Sequence, residues 1–144
     1  MDEEALAELA EELRQTIGDL VRAVRVVDTM PAGEAAALGF LDRDGPLTTS
    51  DLAHRRRVTH QSAAKSVKEL VNAGLVRTEL HPSDGRKLLL HVTDTGRARL
   101  RLERARRSRA LATALQDTFS PEEQGQLHDC VVLLSRLTAH LTGR

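Results

Sequence analysis

Residues 48–74 read TTSDLAHRRRVTHQSAAKSVKELVNAG. Thr48 followed three positions later by Asp51 is a helix start, because the hydroxyl and the carboxylate can each take one of the amides that a first helical turn leaves free. That helix is short, passing through Leu52 and Ala53 to about Arg56. Val58 then precedes Thr59, a second N-cap candidate, and the next helix is expected from His60 to about Ala73 with Ala63, Val67, Leu70 and Val71 turned inward. Gly74 falls just past its end, where a left-handed residue closes a helix most easily. A short helix, a turn of three or four residues and a second helix make a helix-turn-helix.

Downstream, the apolar period changes. Leu75–Leu80 and Lys87–Val92 have strand character, and the six residues between them, HPSDGR at 81–86, are rich in turn formers. A β-hairpin placed directly after a helix-turn-helix is a wing. Thr93 then caps a long helix from Asp94 to about Thr118, and Ser120-Pro121-Glu122-Glu123 combines an N-cap, a first-position proline and a third-position glutamate to open the last one. Leu127, Cys130, Val131, Leu134, Leu137 and Leu141 lie along one side of that final helix.

Upstream, residues 4–29 carry Leu6, Leu9, Leu13, Ile17, Leu20, Val24 and Val27 at spacings of three or four, an apolar stripe on one helix face. A helix of about 25 residues is longer than a small domain's own core usually covers. Part of the stripe is therefore expected to pack on another chain. Pro31 is read as opening a second helix, with Ala35, Leu38 and Leu41 inward and Asp44-Gly45-Pro46 closing it; Leu47 is placed as a one-bridge strand.

The chain has 144 residues, enough for one hydrophobic core, and its charged and apolar fractions are those of a folded globular domain. Two Phe and no Trp or Tyr favour helices packed through Leu, Val and Ala, and leave no stacking platform for single-stranded nucleic acid. No apolar run suits a membrane span, the acidic N-terminus does not resemble a secretory signal, and the lone Cys130 cannot form an internal disulfide, so a cytoplasmic protein is expected. The net charge is zero, but unevenly distributed. Residues 1–44 hold 4 basic and 11 acidic side chains, residues 45–109 hold 15 and 6, and residues 110–144 hold 2 and 4. A basic middle segment suits a surface that neutralises phosphates; a solvated charged face accounts for the same numbers.

The expected exposed positions of the second helix of the motif are His60, Gln61, Ser62, Ala64, Lys65 and Lys68. Gln can pair bidentately with adenine, Ser can donate to a base or a phosphate, Ala can meet a thymine methyl, and the lysines suit phosphate or guanine. Arg86 and Lys87 sit at the hairpin tip, where an arginine can enter a narrow minor groove; the plainer reading is a surface turn in which Asp84 pairs with Arg86. Arg55, Arg56 and Arg57 precede the helix as phosphate-contact candidates or as a solvated run. The arginines at 97, 99, 101, 104, 106, 107 and 109 spread around the long helix and are expected to be solvated or paired with the acidic first helix.

The words Gly45-Pro46-Leu47-Thr48, Asp51-Leu52-Ala53, Val58-Thr59, Lys68-Glu69-Leu70, Gly74-Leu75-Val76, and above all Asp84-Gly85-Arg86 followed by Val92-Thr93-Asp94-Thr95-Gly96-Arg97, resemble the winged-helix core of the MarR (multiple antibiotic resistance regulator) family. The resemblance covers about 55 residues well, from Leu47 to Leu100, and the flanking helices by position and length. It implies a mainly α fold with a small β-wing: one domain over 1–144, a winged helix-turn-helix over 31–109, and dimerisation helices over 1–30 and 110–144. Leu6, Leu9, Leu13, Ile17, Leu127, Val131, Leu134 and Leu137 would line the homodimer interface. It further implies a regulator, in the usual case a repressor, that binds a palindromic double-stranded DNA operator. The recognition helix would start at His60, with Arg86 in the minor groove and Asp84 orienting the loop beside it.

No cofactor is implied, although a small-molecule effector of unspecified identity is compatible with the resemblance. Arg14, Arg22 and Arg25 could meet an anionic one or be plain surface charge, and Phe40 is the only aromatic residue offered by the second helix. Cys130 is read as a structural residue on the apolar stripe rather than a redox sensor, which needs an exposed thiolate of low pKa. The six histidines are dispersed without a zinc-binding spacing, and no phosphate-binding glycine loop or nucleophile elbow is present, so an enzyme is not expected. The competing reading is a winged helix used for protein contact alone, which would favour exposed apolar residues over the polar helix face found here.

Overall fold

The computed structural model describes residues 1–144, and the chain divides into two compact units, Met1–Arg107 and Ser108–Arg144. The first unit holds α1 (Glu3–Val24), a single 3-10 turn over Arg25–Val27, α2 (Ala32–Asp44), α3 (Thr49–Arg56), α4 (His60–Asn72), β1 (Val76–Leu80) and β2 (Leu88–Val92). α5 (Asp94–Thr118) begins in the first unit and ends in the second, which also contains α6 (Pro121–Leu141).

The helix starts follow from their caps. At α3 the Thr48 hydroxyl accepts the Asp51 N–H and the Asp51 carboxylate accepts the Thr48 N–H, both at 3.1 Å. Ser120 and Glu123 repeat this exchange at α6, with Pro121 in the first turn. Thr59 accepts the Ser62 N–H at the start of α4. Pro31 stands immediately before α2 in an extended conformation instead of inside it.

The core of the first unit is formed by α2, α3, α4 and the sheet. Leu38, Leu41, Leu52, Leu70 and Leu90 are fully buried, joined by Met30, Leu47, Val67, Leu75, Val76, Val92 and Leu100. β1 and β2 pair antiparallel from Val76↔Val92 to Leu80↔Leu88, and Leu47 adds the expected single bridge to Leu90. Thr93 joins wing to helix twice: its hydroxyl donates to the Gly74 carbonyl at 2.7 Å and accepts the Gly96 N–H at 3.0 Å.

Three expectations need correction. The first helix leaves α geometry at Val24 and tightens into the 3-10 turn, so it does not run to residue 29. Val71 is exposed, because Val67 and Leu70 already fill the inward side of α4. Cys130 is exposed in the single chain, since α6 buries none of its own residues.

α1 likewise buries none. Leu6, Leu9, Ile17 and Leu20 on α1 and Leu127, Val131, Leu134 and Leu137 on α6 are exposed, while Leu13 is half-buried. Leucine and valine thus stand exposed at helical spacing along both helices.

Candidate nucleic-acid interface

α4 packs on α2 and α3 through Ala63, Val67 and Leu70. The opposite side presents His60, Gln61, Ser62, Lys65 and Lys68 to solvent, with Ala64 half-buried beside them. A polar helix surface carrying one amide, one hydroxyl and two ammonium groups has the donors and acceptors needed to read base edges and grip phosphates.

The turn into this helix has unusual geometry. Arg57 closes α3 in the left-handed conformation (φ 55°, ψ 46°), the only residue besides glycine with a positive φ. Its N–H donates to the His54 carbonyl at 3.2 Å, and the Val58 N–H donates to Ala53 at 3.1 Å. Glycine would adopt this conformation freely, whereas a branched-Cβ-free arginine still pays a steric cost at its Cβ.

The three arginines of the turn have different surroundings. Arg55 donates to Asp44 at 2.9 Å. Arg56 donates to the Ser66 hydroxyl at 3.3 Å, and its guanidinium lies over Gly33, where an added Cβ would sit 2.9 Å away. Arg57 is exposed and takes no part in the ion pairs.

At the wing, Asp84 accepts the Arg86 backbone N–H and its Nε–H, both at 3.1 Å, with a longer contact to Nη2 at 3.4 Å. The Arg86 side chain is 91% exposed. The Arg86 hydrogen bonds, with smaller help from Lys87 and His81, hold the Asp84 carboxyl below its ordinary pKa. Asp84 thus holds the guanidinium of a side chain that projects from the wing. Lys87 is exposed next to it.

Of the α5 arginines, Arg101, Arg106 and Arg109 are exposed and outside the ion pairs, as the solvated reading expects, while the others find partners away from the first helix. None pairs with α1. Arg97 bonds to Asp94 of its own first turn at 3.2 Å and approaches Asp42 of α2 at 3.9 Å; Arg104 reaches Asp42 at 3.5 Å. Arg107 grips Asp28 through two bonds of 2.7 and 2.6 Å. Sequence reasoning missed Glu103, which is 3% exposed. Its carboxylate accepts the Thr29 N–H at 3.1 Å, the Thr29 hydroxyl, and the Arg99 Nε–H at 3.2 Å. Burial alone would raise its pKa, but these bonds outweigh burial and lower it. The segment before α2 is thereby tied to α5.

On α1, Arg14 pairs with Glu11 and Arg22 with Asp19, both one turn earlier on the same helix. That is the surface-charge alternative. Arg25, with Asp28, Ala32, Ala35, Ala36 and Arg107, borders a cavity of only 90 Å³. No helix is long and apolar enough to cross a membrane.

Comparison with known proteins agrees with this geometry. The family model described as MarR family matches residues 28–87, from the segment before α2 to the wing tip. An uncharacterized HTH-type transcriptional regulator of Mycobacterium leprae is 28% identical over 134 residues, covering 91% of this chain and 93% of that protein. A structure from Pseudomonas aeruginosa PA01 assigned to transcriptional regulation is 26% identical, with a TM-score of 0.82 over 95% of this chain and 97% of the other. The PcaV transcriptional regulator of Streptomyces coelicolor, solved with its natural ligand, shares the fold at 24% identity and a TM-score of 0.56, covering 90% and 91% of the two chains. The helix-turn-helix and the first wing strand lie inside the segment that matches the MarR family model, and most of the chain is similar to HTH-type transcriptional regulators.

Proposed function

We propose that the protein is a cytoplasmic, sequence-specific DNA-binding repressor that acts as a homodimer on a palindromic operator. The observation that carries this reading is the pairing of an outward polar α4 face with a projecting, Asp84-held Arg86 on the same basic segment, residues 45–109. α4 enters the major groove, where Gln61, Ser62 and Ala64 meet base edges, His60 stands at its leading end, and Lys65 and Lys68 contact phosphate or guanine. Arg86 enters the adjacent minor groove, with Lys87 beside it. Of the three turn arginines, Arg57 is the freest to grip backbone, while Arg55 and Arg56 must leave Asp44 and Ser66 to do so.

The exposed apolar faces of α1 and α6 close on a second copy, through Leu6, Leu9, Leu13 and Ile17 on one and Leu127, Val131, Leu134 and Leu137 on the other. A two-fold dimer then sets two recognition helices on half-sites about one helical turn apart. Catalysis and a resident cofactor form no part of this reading. A small-molecule effector is part of this reading; the PcaV regulator, which shares the fold, was solved with its natural ligand.

Selection of duplexes from a random pool by the purified protein tests the proposal. It predicts enrichment of an inverted repeat with half-sites about 10 base pairs apart. Enrichment of a single unrepeated site would remove the palindrome, and no enrichment would remove sequence-specific binding.

A further inference from the structure

Between the first turn of α3 and the wing tip lies a cleft of about 310 Å³, bordered by Thr49, Ser50, His60, Arg86, Lys87 and Leu88. Its walls are chemically unlike. One side offers the hydroxyls of Thr49 and Ser50, which the α3 capping box leaves unused because it employs Thr48 and Asp51. The other offers the exposed Lys87 ammonium and Arg86 guanidinium, with the His60 imidazole near the open face. Two carboxylates adjoin these cations: Asp51 accepts the Thr48 amide and Asp84 holds the Arg86 guanidinium. The Lys87 ammonium lies within electrostatic reach of both without a hydrogen bond to either carboxylate, which leaves it free for an anion. Leu88 presents an apolar surface, 46% exposed, that the core does not cover.

Cations and hydroxyl donors around a small space suit a tetrahedral anion with several acceptor oxygens. An apolar side chain next to them suits something more than a free ion. A nucleotide unit of the DNA backbone has both parts, an anionic phosphodiester and an apolar sugar face, and the cleft adjoins the leading residue of α4.

We propose that this cleft seats one deoxyribose-phosphate of the duplex, with Lys87, Thr49 and Ser50 on the phosphate and Leu88 against the sugar. This rests on the DNA-binding reading above and adds Thr49, Ser50 and Leu88 as positioning residues. A phosphate held between α3 and the wing fixes how far α4 slides along the groove, and so which base pairs Gln61 and Ser62 meet.

The test uses a duplex selected by the wild-type protein, with neutral methylphosphonate linkages introduced one at a time. Affinity is measured by fluorescence anisotropy for wild type, Lys87→Met and Ser50→Ala, all three checked for helix content by circular dichroism. One linkage per half-site should cost the wild type about tenfold, as expected for losing a charge-assisted contact, and cost Lys87→Met little more. Lys87→Met should also show a salt dependence shallower by about one ion per half-site. Ser50→Ala should share the non-additivity with the same linkage. Fully additive losses at every linkage would overturn the proposal while leaving DNA binding intact. Inorganic phosphate binding that Lys87→Met abolishes, without non-additivity on DNA, would assign the cleft to a free anion and overturn it too. A wild-type protein that binds no duplex would remove both this seat and the reading on which it rests.

Discussion

Asp84 and Arg86 form a closed unit at the wing tip, the carboxylate accepting both the backbone N–H and the Nε–H of the arginine two residues on. In free protein so exposed a pair adds little to stability. Its consequence is directional, because it restricts a long side chain that would otherwise sample many rotamers. Arg86→Ala should weaken duplex binding by about 1–3 kcal/mol. Asp84→Ala should weaken it by less, and should have no effect in an Arg86→Ala background. An undiminished Asp84→Ala effect in that background would show that Asp84 acts by another route.

Arg57 holds a left-handed backbone that glycine would adopt without strain. Arg57→Gly should therefore raise folding stability by about 1 kcal/mol in urea unfolding. The same change should weaken duplex binding and flatten its salt dependence if the guanidinium grips a phosphate. Improved stability with unaltered salt dependence would leave Arg57 as a turn residue alone.

Glu103 is a buried carboxylate whose partners, Thr29 and Arg99, bind its charged form. Glu103→Gln keeps the shape but removes the charge, and should cost about 1–3 kcal/mol at pH 7. Arg107 chiefly lowers the Asp28 pKa, and the Thr29 and Arg99 bonds overcome burial to lower that of Glu103. Carboxyls with lowered folded values contribute stability that is fully present above the ordinary carboxylate range. They lose it as pH falls below about 4 and through those lowered values. The urea midpoint of the wild type should accordingly fall more steeply in acid than that of an Asp28→Asn, Glu103→Gln double variant. Parallel acid profiles would contradict this assignment.

Gly96 lies where a Cβ would collide with the Leu75 carbonyl oxygen and come within 2.8 Å of Val92 Cγ2. Neither backbone carbonyl nor packed valine can withdraw cheaply. Gly96→Ala should destabilise by about 1–3 kcal/mol despite the better helix propensity of alanine. An unchanged thermal midpoint would mean that the start of α5 shifts freely.

The helix starts and the wing were legible in the sequence because their signals are local. Thr48 with Asp51, Ser120 with Glu123, and the turn formers at 81–86 specify their conformations through neighbours a few positions away. Glu103 was not legible. Among seven arginines it reads as one more charge on a solvated helix, and it is Thr29, 74 positions earlier in the chain, that makes its burial tolerable. The partners of Arg104 and Arg107 were missed for the same reason, since Asp42 and Asp28 come near α5 through tertiary packing. On the candidate DNA surface, the residue types on α4 were readable from helical periodicity. The division of labour among Arg55, Arg56 and Arg57 was not, because it depends on Asp44, Ser66 and a left-handed turn.

Leu9→Glu or Leu134→Glu places a charge within an apolar face exposed in the single chain. Light scattering should give twice the chain mass for the wild type at micromolar concentration and a reduced mass for either variant. A single-chain mass for the wild type would contradict the dimer.

Whether α4 and the wing engage DNA is tested most directly by titrating the purified protein into a labelled duplex taken from upstream of its own gene. Saturable binding that weakens steeply as salt rises from about 50 to 200 mM is predicted. A flat titration against that fragment and every neighbouring one, even in dilute buffer, would contradict it.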